Sequence, residues 1–158
     1  MIYVFDTSSI SNLKFFYPNV FKSVWVGLDA LVQSGELIST REVWNEVEGN
    51  EVDIHINQWL KERKQIFTTP NSDELRFVSQ ILRIPHFQSL IGEKQRLKGT
   101  PVADPFIIAC AKIHQGTVVT EERSKPNAAK IPNVCMHPSV NVPCINLETF
   151  MQKQGWTF

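Results

Sequence analysis

The chain opens with MIYVFDTSS (residues 1–9), an apolar run that ends in a carboxylate. Residues 2–5 are β-forming and include no charged side chain, which predicts a strand buried on both faces. Asp6 then falls at the carboxyl end of this strand, the edge at which open α/β sheets bind their ligands. A carboxylate beside a core destabilises the fold unless a charged or hydrogen-bonding group meets it. The rest of the chain should therefore supply partners for Asp6.

Three further acidic positions lie where they could reach the same edge: Glu46, Asp104 and the pair Glu121/Glu122. Glu46 borders the apolar stripe of a predicted helix, which is a poor place for simple solvation. Asp104 precedes a proline and a nearly all-apolar helix, and can cap that helix and bind a ligand at once. The acidic pair follows a buried strand, so one of its members should reach the rim beside Asp6.

The remaining pattern of apolar residues and stop signals predicts an α/β fold with a small, mainly parallel sheet flanked by helices. A Ser39-x-x-Glu42 capping box is expected to open the helix that carries Glu46. Asp104 is expected to be the N-cap of the buried helix, with Pro105 as its first residue. Residues 86–101 are the hardest to interpret, and suggest a short helix and a basic loop. The other predicted helices are 21–32, 53–64, 72–83 and one that runs from 146 to about 155; the later strands are 117–120 and 143–145.

Composition sets the broad class. The chain has 158 residues, 42% of them hydrophobic, including ten Phe and four Trp, which predicts one folded domain over residues 1–158. Lys plus Arg and Asp plus Glu balance at 16 each, so net charge says nothing about a nucleic-acid partner. No segment is long and apolar enough for a membrane span. Three cysteines cannot all pair, which indicates reduced thiols and a cytoplasmic protein.

Four acids at strand ends and helix starts point to a divalent cation. Clustered carboxylates repel and raise one another's pKa unless a cation neutralises them. Mg²⁺ or Mn²⁺ suits such an all-oxygen site. An ion of this kind can activate water and orient a phosphodiester. The predicted chemistry is phosphodiester hydrolysis.

The motifs around these acids resemble those of the PIN-domain ribonucleases. The matching segments are VFDTS with Asp6, REVWNEV with Glu46, VADPFIIACA with Asp104 and VVTEE with Glu122. The resemblance spans nearly the whole chain, including the closing segment CINLETFMQKQGW. More narrowly, VADPFIIACAK, VVTEE and KIPNVC resemble a prokaryotic PIN-like subfamily of unknown function.

This resemblance implies a metal-dependent endoribonuclease that acts on RNA, often as the toxin of a toxin–antitoxin pair. Its antitoxin would be a small DNA-binding protein, and many relatives form homodimers. Asp6 and Asp104 would be the primary ligands of Mg²⁺ or Mn²⁺, with Glu46 orienting metal or water and Glu122 completing the site. Glu122 departs from the Asp more usual at its position, and whether it or Glu121 is the fourth acid stays open.

Side chains around the acids give secondary predictions. Ser8 and Thr120 lie near the expected rim and could orient the ligands or bound water. Basic side chains could contact RNA phosphates; the candidates are Arg41, Lys94, Arg96, Lys98, Arg123 and Lys125.

Other classes of site fit the sequence less well. A zinc site could use Cys135, His137, Cys144 and His114, but no CxxC pair is present. A phosphatase with a nucleophilic aspartate would want a second Asp where Ser8 stands, and neither a GxSxG elbow nor a Gly-rich phosphate loop occurs. The main alternative is a catalytically weak or inactive PIN-like module that binds protein or RNA, because a fold does not fix function.

Overall fold

The computed structural model describes residues 1–48, 54–88 and 103–157. These residues form a five-stranded parallel sheet flanked by helices, which confirms the predicted α/β class. The strands are β1 (Tyr3–Phe5), β2 (Leu37–Thr40), β3 (Phe67–Thr68), β4 (Thr117–Val119) and β5 (Cys144–Ile145). The helices are α1 (Thr7–Asn12), α2 (Lys22–Gln33), α3 (Arg41–Glu48), α4 (Ile54–Glu62), α5 (Ser72–Leu82), α6 (Asp104–Ile113), α7 (Ile131–Met136) and α8 (Leu147–Gln154), with 3₁₀ turns at Leu13–Phe15 and Lys64–Ile66.

The strand order β3-β2-β1-β4-β5 puts the first strand at the centre of the sheet. Tyr3 is in register with Leu37 of β2 on one side and with Thr117 of β4 on the other. The chain first builds outward from β1 through β2 and β3, and then crosses back to add β4 and β5 on the opposite side. The order therefore reverses at β1, which is where open parallel sheets form their ligand crevice. Asp6 follows directly after this strand.

The core lies on both faces of the sheet. All three residues of β1 are buried, and Tyr3 and Phe5 meet the ring of Phe150 on α8 edge-on, with centroids 4.9 and 5.1 Å apart. On α6, every residue from Ile107 to Ala111 is buried, and this helix packs against α5 and the sheet. The deep packing predicted for an all-apolar helix is confirmed.

Two predicted helix starts are wrong by one residue. Ser39 lies inside β2 and its hydroxyl donates to the Phe5 carbonyl, 2.7 Å away. Because β2 continues to Thr40, it is the Thr40 hydroxyl that accepts the Val43 N–H, at 3.4 Å. At α6 the N-cap is Ala103, and Asp104 is the first helical residue.

The structure does not describe residues 89–102, so most of the short helix and basic loop predicted for residues 86–101 lies outside the described residues. Residues 85–88 are helical. The helix predicted for residues 53–64 corresponds to α4. Its predicted first residue, 53, also lies outside the described residues, and α4 begins at Ile54. In the part of the chain that is described, no helix has the length and apolar character needed to cross a membrane.

Candidate active site

A cleft of about 220 Å³ lies at the carboxyl edge of the sheet, beside the end of β1. Four predicted acids from separate segments line it: Asp6, Glu46, Asp104 and Glu122. Thr7, Ser8 and Ala103 complete the lining. Glu121 points elsewhere: it lines a neighbouring groove, and its Oε1 accepts the backbone N–H of Leu147 at 2.7 Å. Glu122 is thus the member of the acidic pair that shares the cleft with Asp6.

Asp6 is the most tightly held of these carboxylates. Its Oδ1 accepts the Ser9 N–H at 2.8 Å, which makes Asp6 the N-cap of α1. The Thr120 hydroxyl donates to Oδ2 at 2.6 Å, and the Ser8 hydroxyl lies 2.9 Å from both oxygens. Ser8 and Thr120 thus contact the Asp6 carboxylate, while their expected role of orienting a ligand or water stays a prediction. These donors fix the carboxylate at the end of β1.

Burial raises the pKa of Asp6 from its usual 3.8 to about 6, and the hydrogen bonds from Thr120, Ser9 and Ser8 act in the opposite direction. The side chain is only 4% exposed, so removal from water is the main cause, rather than the repulsion between carboxylates that the sequence suggested. A cation in the cleft would favour the ionised form. Asp6 is therefore an acid whose charge needs a partner near neutral pH.

Glu46 joins two of the segments that form the cleft. It lies on α3, where its Oε2 accepts the Thr7 hydroxyl at 2.5 Å and its Oε1 accepts the Ala103 N–H at 3.1 Å. Ala103 directly precedes Asp104, so Glu46 ties the start of α1 to the start of α6. These two contacts fix the Glu46 carboxylate at the rim of the cleft.

The other two acids sit near helix N-termini. Asp104 is the first residue of α6, where a negative charge is favourable. The Oε2 atom of Glu122 accepts the N–H of Ile131, the first residue of α7, at 2.8 Å. Its own N–H donates to the Thr120 hydroxyl at 3.1 Å. Thr120 thus links Glu122 to Asp6.

The donor set suits a hard cation, but the acids are not drawn tightly together. Among the described residues, only one group of three His, Cys, Asp or Glu side chains has all its ligand atoms within 4.8 Å, and it lies elsewhere, at Glu74, Cys110 and His114. Mg²⁺ usually keeps several waters and binds through one or two carboxylates. A partly hydrated Mg²⁺ or Mn²⁺ would therefore suit this donor set, with Asp6, Glu46, Asp104 and Glu122 as the residues that would hold it.

The zinc grouping considered from the sequence is not formed. His114 faces Glu74, with its Nε2 2.9 Å from the Glu74 Oε1, and so lies apart from Cys135 and Cys144. The Cys135 and Cys144 thiols hydrogen-bond each other, which raises the pKa of Cys135 and lowers that of Cys144. All three cysteines are free thiols, as predicted.

Comparison with known families gives one decisive match. The model of the family described as Domain of unknown function (DUF4411) matches residues 3–158, nearly the whole chain. The chain belongs to this family. No protein with a curated description matches this DUF4411 member.

Two solved structures resemble the DUF4411 chain. The crystal structure of PAE2754 from Pyrobaculum aerophilum is 15% identical with a TM-score of 0.49, and the match covers 98% of this chain and 97% of that one. The crystal structure of VapBC2 from Rickettsia felis bound to a DNA fragment from their promoter is 16% identical with a TM-score of 0.48, covering 92% and 98%.

Some features of the cleft have only weak signals in the sequence. The Thr7 hydroxyl and the Ala103 N–H hold Glu46, yet only their adjacency to Asp6 and Asp104 could have indicated them. Of the predicted phosphate contacts, Arg41 pairs with Glu42 at 3.0 Å, and Arg123 and Lys125 are exposed. Lys94, Arg96 and Lys98 lie outside the described residues.

Proposed function

We propose that this DUF4411 protein is a metal-dependent endoribonuclease that hydrolyses RNA phosphodiester bonds with Mg²⁺ or Mn²⁺. One observation carries the proposal: Asp6, Glu46, Asp104 and Glu122 line one cleft where the strand order reverses. The resemblance of their surrounding motifs to those of PIN-domain ribonucleases supports the same chemistry.

The proposed roles follow from the contacts of each acid. Asp6 and Asp104 are the primary ligands, because Asp6 is a buried acid that a cation would keep ionised and Asp104 begins α6 inside the cleft. Glu46 and Glu122 accept backbone or hydroxyl donors, hold the rim in place and orient metal or water. A bound Mg²⁺ or Mn²⁺ would lower the pKa of water and stabilise the charge that develops on the phosphate.

The proposal extends to partners through the sequence resemblance. The protein would act as the toxin of a toxin–antitoxin pair, neutralised by a small DNA-binding antitoxin, and would pair as a homodimer. Arg123 and Lys125 follow Glu122 and are exposed, so they could meet the RNA backbone beside the cleft. Expression of the chain alone should arrest growth, and co-expression of the product of the adjacent reading frame should relieve the arrest.

The central test is RNA cleavage by the purified full chain with Mn²⁺ or Mg²⁺. We expect cleavage that a chelator abolishes and that Asp6→Asn or Asp104→Asn lowers roughly 10²–10³-fold, since the acids support several kcal/mol of charge stabilisation. Asp73→Asn is a matched control, because Asp73 lies on the exposed face of α5. Full activity in both cleft variants would refute the proposal.

A binding module without catalysis is the second candidate. The carboxylates of Glu46 and Glu122 already accept hydrogen bonds that hold the fold, and no three cleft acids place oxygens within 4.8 Å of one another. Both features would suit a cleft that docks a basic group. RNA binding that survives chelation, with no cleavage under any metal, would favour this candidate.

A further inference from the structure

A second group of metal-ligating side chains lies far from the cleft, where α5 packs against the C-terminal half of α6. Cys110 and His114 are four residues apart and therefore share one face of α6 and its C-cap. Glu74, in the first turn of α5, approaches the same face. The ligand atoms of the three side chains all lie within 4.8 Å of one another. His114 is ten residues from Asp104, or roughly 15 Å along the helix axis.

Two of the three ligands are held inside the protein. Glu74 is 3% exposed; its Oε2 accepts the Asn71 N–H at 3.1 Å, and its Oε1 faces the His114 Nε2 at 2.9 Å. Cys110 is fully buried. His114 is 38% exposed, which gives an ion a route from solvent.

Two buried carboxylates, those of Glu74 and Glu42, act on the Cys110 thiol. Glu42 is 7% exposed; its Oε1 pairs with Arg41 at 3.0 Å, and its Oε2 has no hydrogen-bond partner among the described residues. Burial, then the charge of Glu74 and, to a smaller extent, that of Glu42, raise the pKa of Cys110 to about 12, although a hydrogen bond with Thr68 acts in the opposite direction. A bound cation would reverse this effect, because a coordinating thiol loses its proton.

From this geometry we infer that Glu74, Cys110 and His114 form a zinc site, with a fourth position open to solvent beside His114. A thiolate, an imidazole and a carboxylate are ligands that select Zn²⁺ over Mg²⁺. Three protein ligands with one open position is a known zinc arrangement. Zinc–ligand bonds of about 2.0–2.3 Å place the donors roughly 3.5 Å apart, so the Glu74–His114 pair, 2.9 Å apart, would open by roughly 0.6 Å, and the distances to the Cys110 sulfur, each within 4.8 Å, would shorten by at most roughly 1.3 Å. Zinc bound here joins α5 to α6, and its binding does not depend on the nuclease proposal.

The ordinary alternative is a Glu74–His114 hydrogen bond beside an inert thiol. The two explanations differ in whether the Cys110 sulfur binds a metal ion. A thiolate bound to Co²⁺, a common substitute for Zn²⁺, gives a charge-transfer absorption band, whereas a hydrogen-bonded pair gives none. The band therefore reports on the sulfur itself.

The experiment titrates the metal-free full chain with Co²⁺ and then displaces it with Zn²⁺. We expect a saturable charge-transfer band, its loss when Zn²⁺ is added, and a higher melting temperature with Zn²⁺. Cys110→Ala should remove the band. His114→Gln, a change at a partly exposed position, should weaken metal binding by at least about tenfold.

Matched controls separate this site from the other thiols and from the cleft. Cys135→Ala, His137→Gln and Asp6→Asn should all keep the band and the zinc-dependent rise in melting temperature. The inference is overturned if the wild-type chain gives no band, if the band survives Cys110→Ala, or if Cys135→Ala removes it. Unchanged affinity in His114→Gln would also overturn it, and this variant can be judged even if Cys110→Ala does not fold.

Discussion

The two ends of α6 carry chemically different groups of side chains. Its first residue, Asp104, lies in a cleft lined by carboxylates that are spread too widely for three to meet within 4.8 Å. Its last turn carries Cys110 and His114, which meet Glu74 within that distance. The cleft has more acids, yet the far end has the tighter group. Donor type and spacing, rather than the number of charges, therefore decide which ion each end suits.

The largest expected difference between the two ends of α6 is the reactivity of the thiols near them, Cys110 and Cys144. The pKa of Cys110 is raised to about 12 by burial, whereas that of the half-buried Cys144, near the cleft, is lowered by its hydrogen bond from Cys135. Since the thiolate is the nucleophile, the partly exposed Cys144 should alkylate faster than the fully buried Cys110 near pH 8. Mass spectrometry after brief iodoacetamide labelling measures the ratio of the two rates, with the unfolded chain as the control for intrinsic reactivity. Equal rates in the folded protein would contradict the environments described for the two thiols.

Paired Glu→Gln variants test whether the two regions act separately. Glu46→Gln should lower RNA cleavage by at least about tenfold and leave Zn²⁺ affinity unchanged. Glu74→Gln should lower Zn²⁺ affinity by a similar factor and leave cleavage unchanged. Glu62→Gln, on the exposed end of α4, controls for loss of charge. If either variant affected both properties equally, the two ends of α6 would not be independent sites.

Because Asp6 is buried in the cleft, the free energy of unfolding should also depend on pH. Because the folded-state pKa of Asp6 lies near 6 and its usual value is 3.8, ionising this buried group destabilises the fold by up to about 3 kcal/mol. The destabilisation is absent below about pH 4, grows as pH rises to 6 and is complete above it. Asp6→Asn should therefore raise the free energy of unfolding without metal above pH 6 and have little effect near pH 4, as measured by urea denaturation.

The same variant should gain less stability from Mn²⁺ than the wild type, because a ligand is lost. The exposed change Asp73→Asn should leave both the pH profile and the metal response unaltered. An Asp6→Asn profile parallel to that of the wild type at every pH would mean that Asp6 acts only as the cap of α1.

Much of the fold could be predicted because its strands are short apolar runs. β1 and β4 stand out in the sequence, and so does the final helix, whose predicted N-cap region at Asn146 is confirmed by a 2.9 Å bond to the Thr149 N–H. Helix α1 was missed because its sequence, TSSISN, has weak helix propensity and depends on the Asp6 cap. A capping box forms instead at Asn71 with Glu74, an Asn-x-x-Glu pattern, whereas the predicted Ser39-x-x-Glu42 box does not form.

The two candidate sites also differ in how well they can be predicted from the sequence. The cleft acids follow strands or begin helices, so their positions along the chain indicate a common edge. The second group cannot be found so simply. The i, i+4 spacing of Cys110 and His114 is local, but Glu74 joins them only through the packing of α5 against α6, and no periodicity indicates that a Glu will be buried there.

The most direct test of the central claim is a crystal structure of the full chain grown with Mn²⁺, recorded at a wavelength where manganese scatters anomalously. The account predicts an anomalous peak in the cleft, within direct coordination distance of Asp6 or Asp104 and within reach of Glu46 or Glu122 through water. An empty cleft at saturating Mn²⁺, or a peak only beside Glu74, Cys110 and His114, would contradict it.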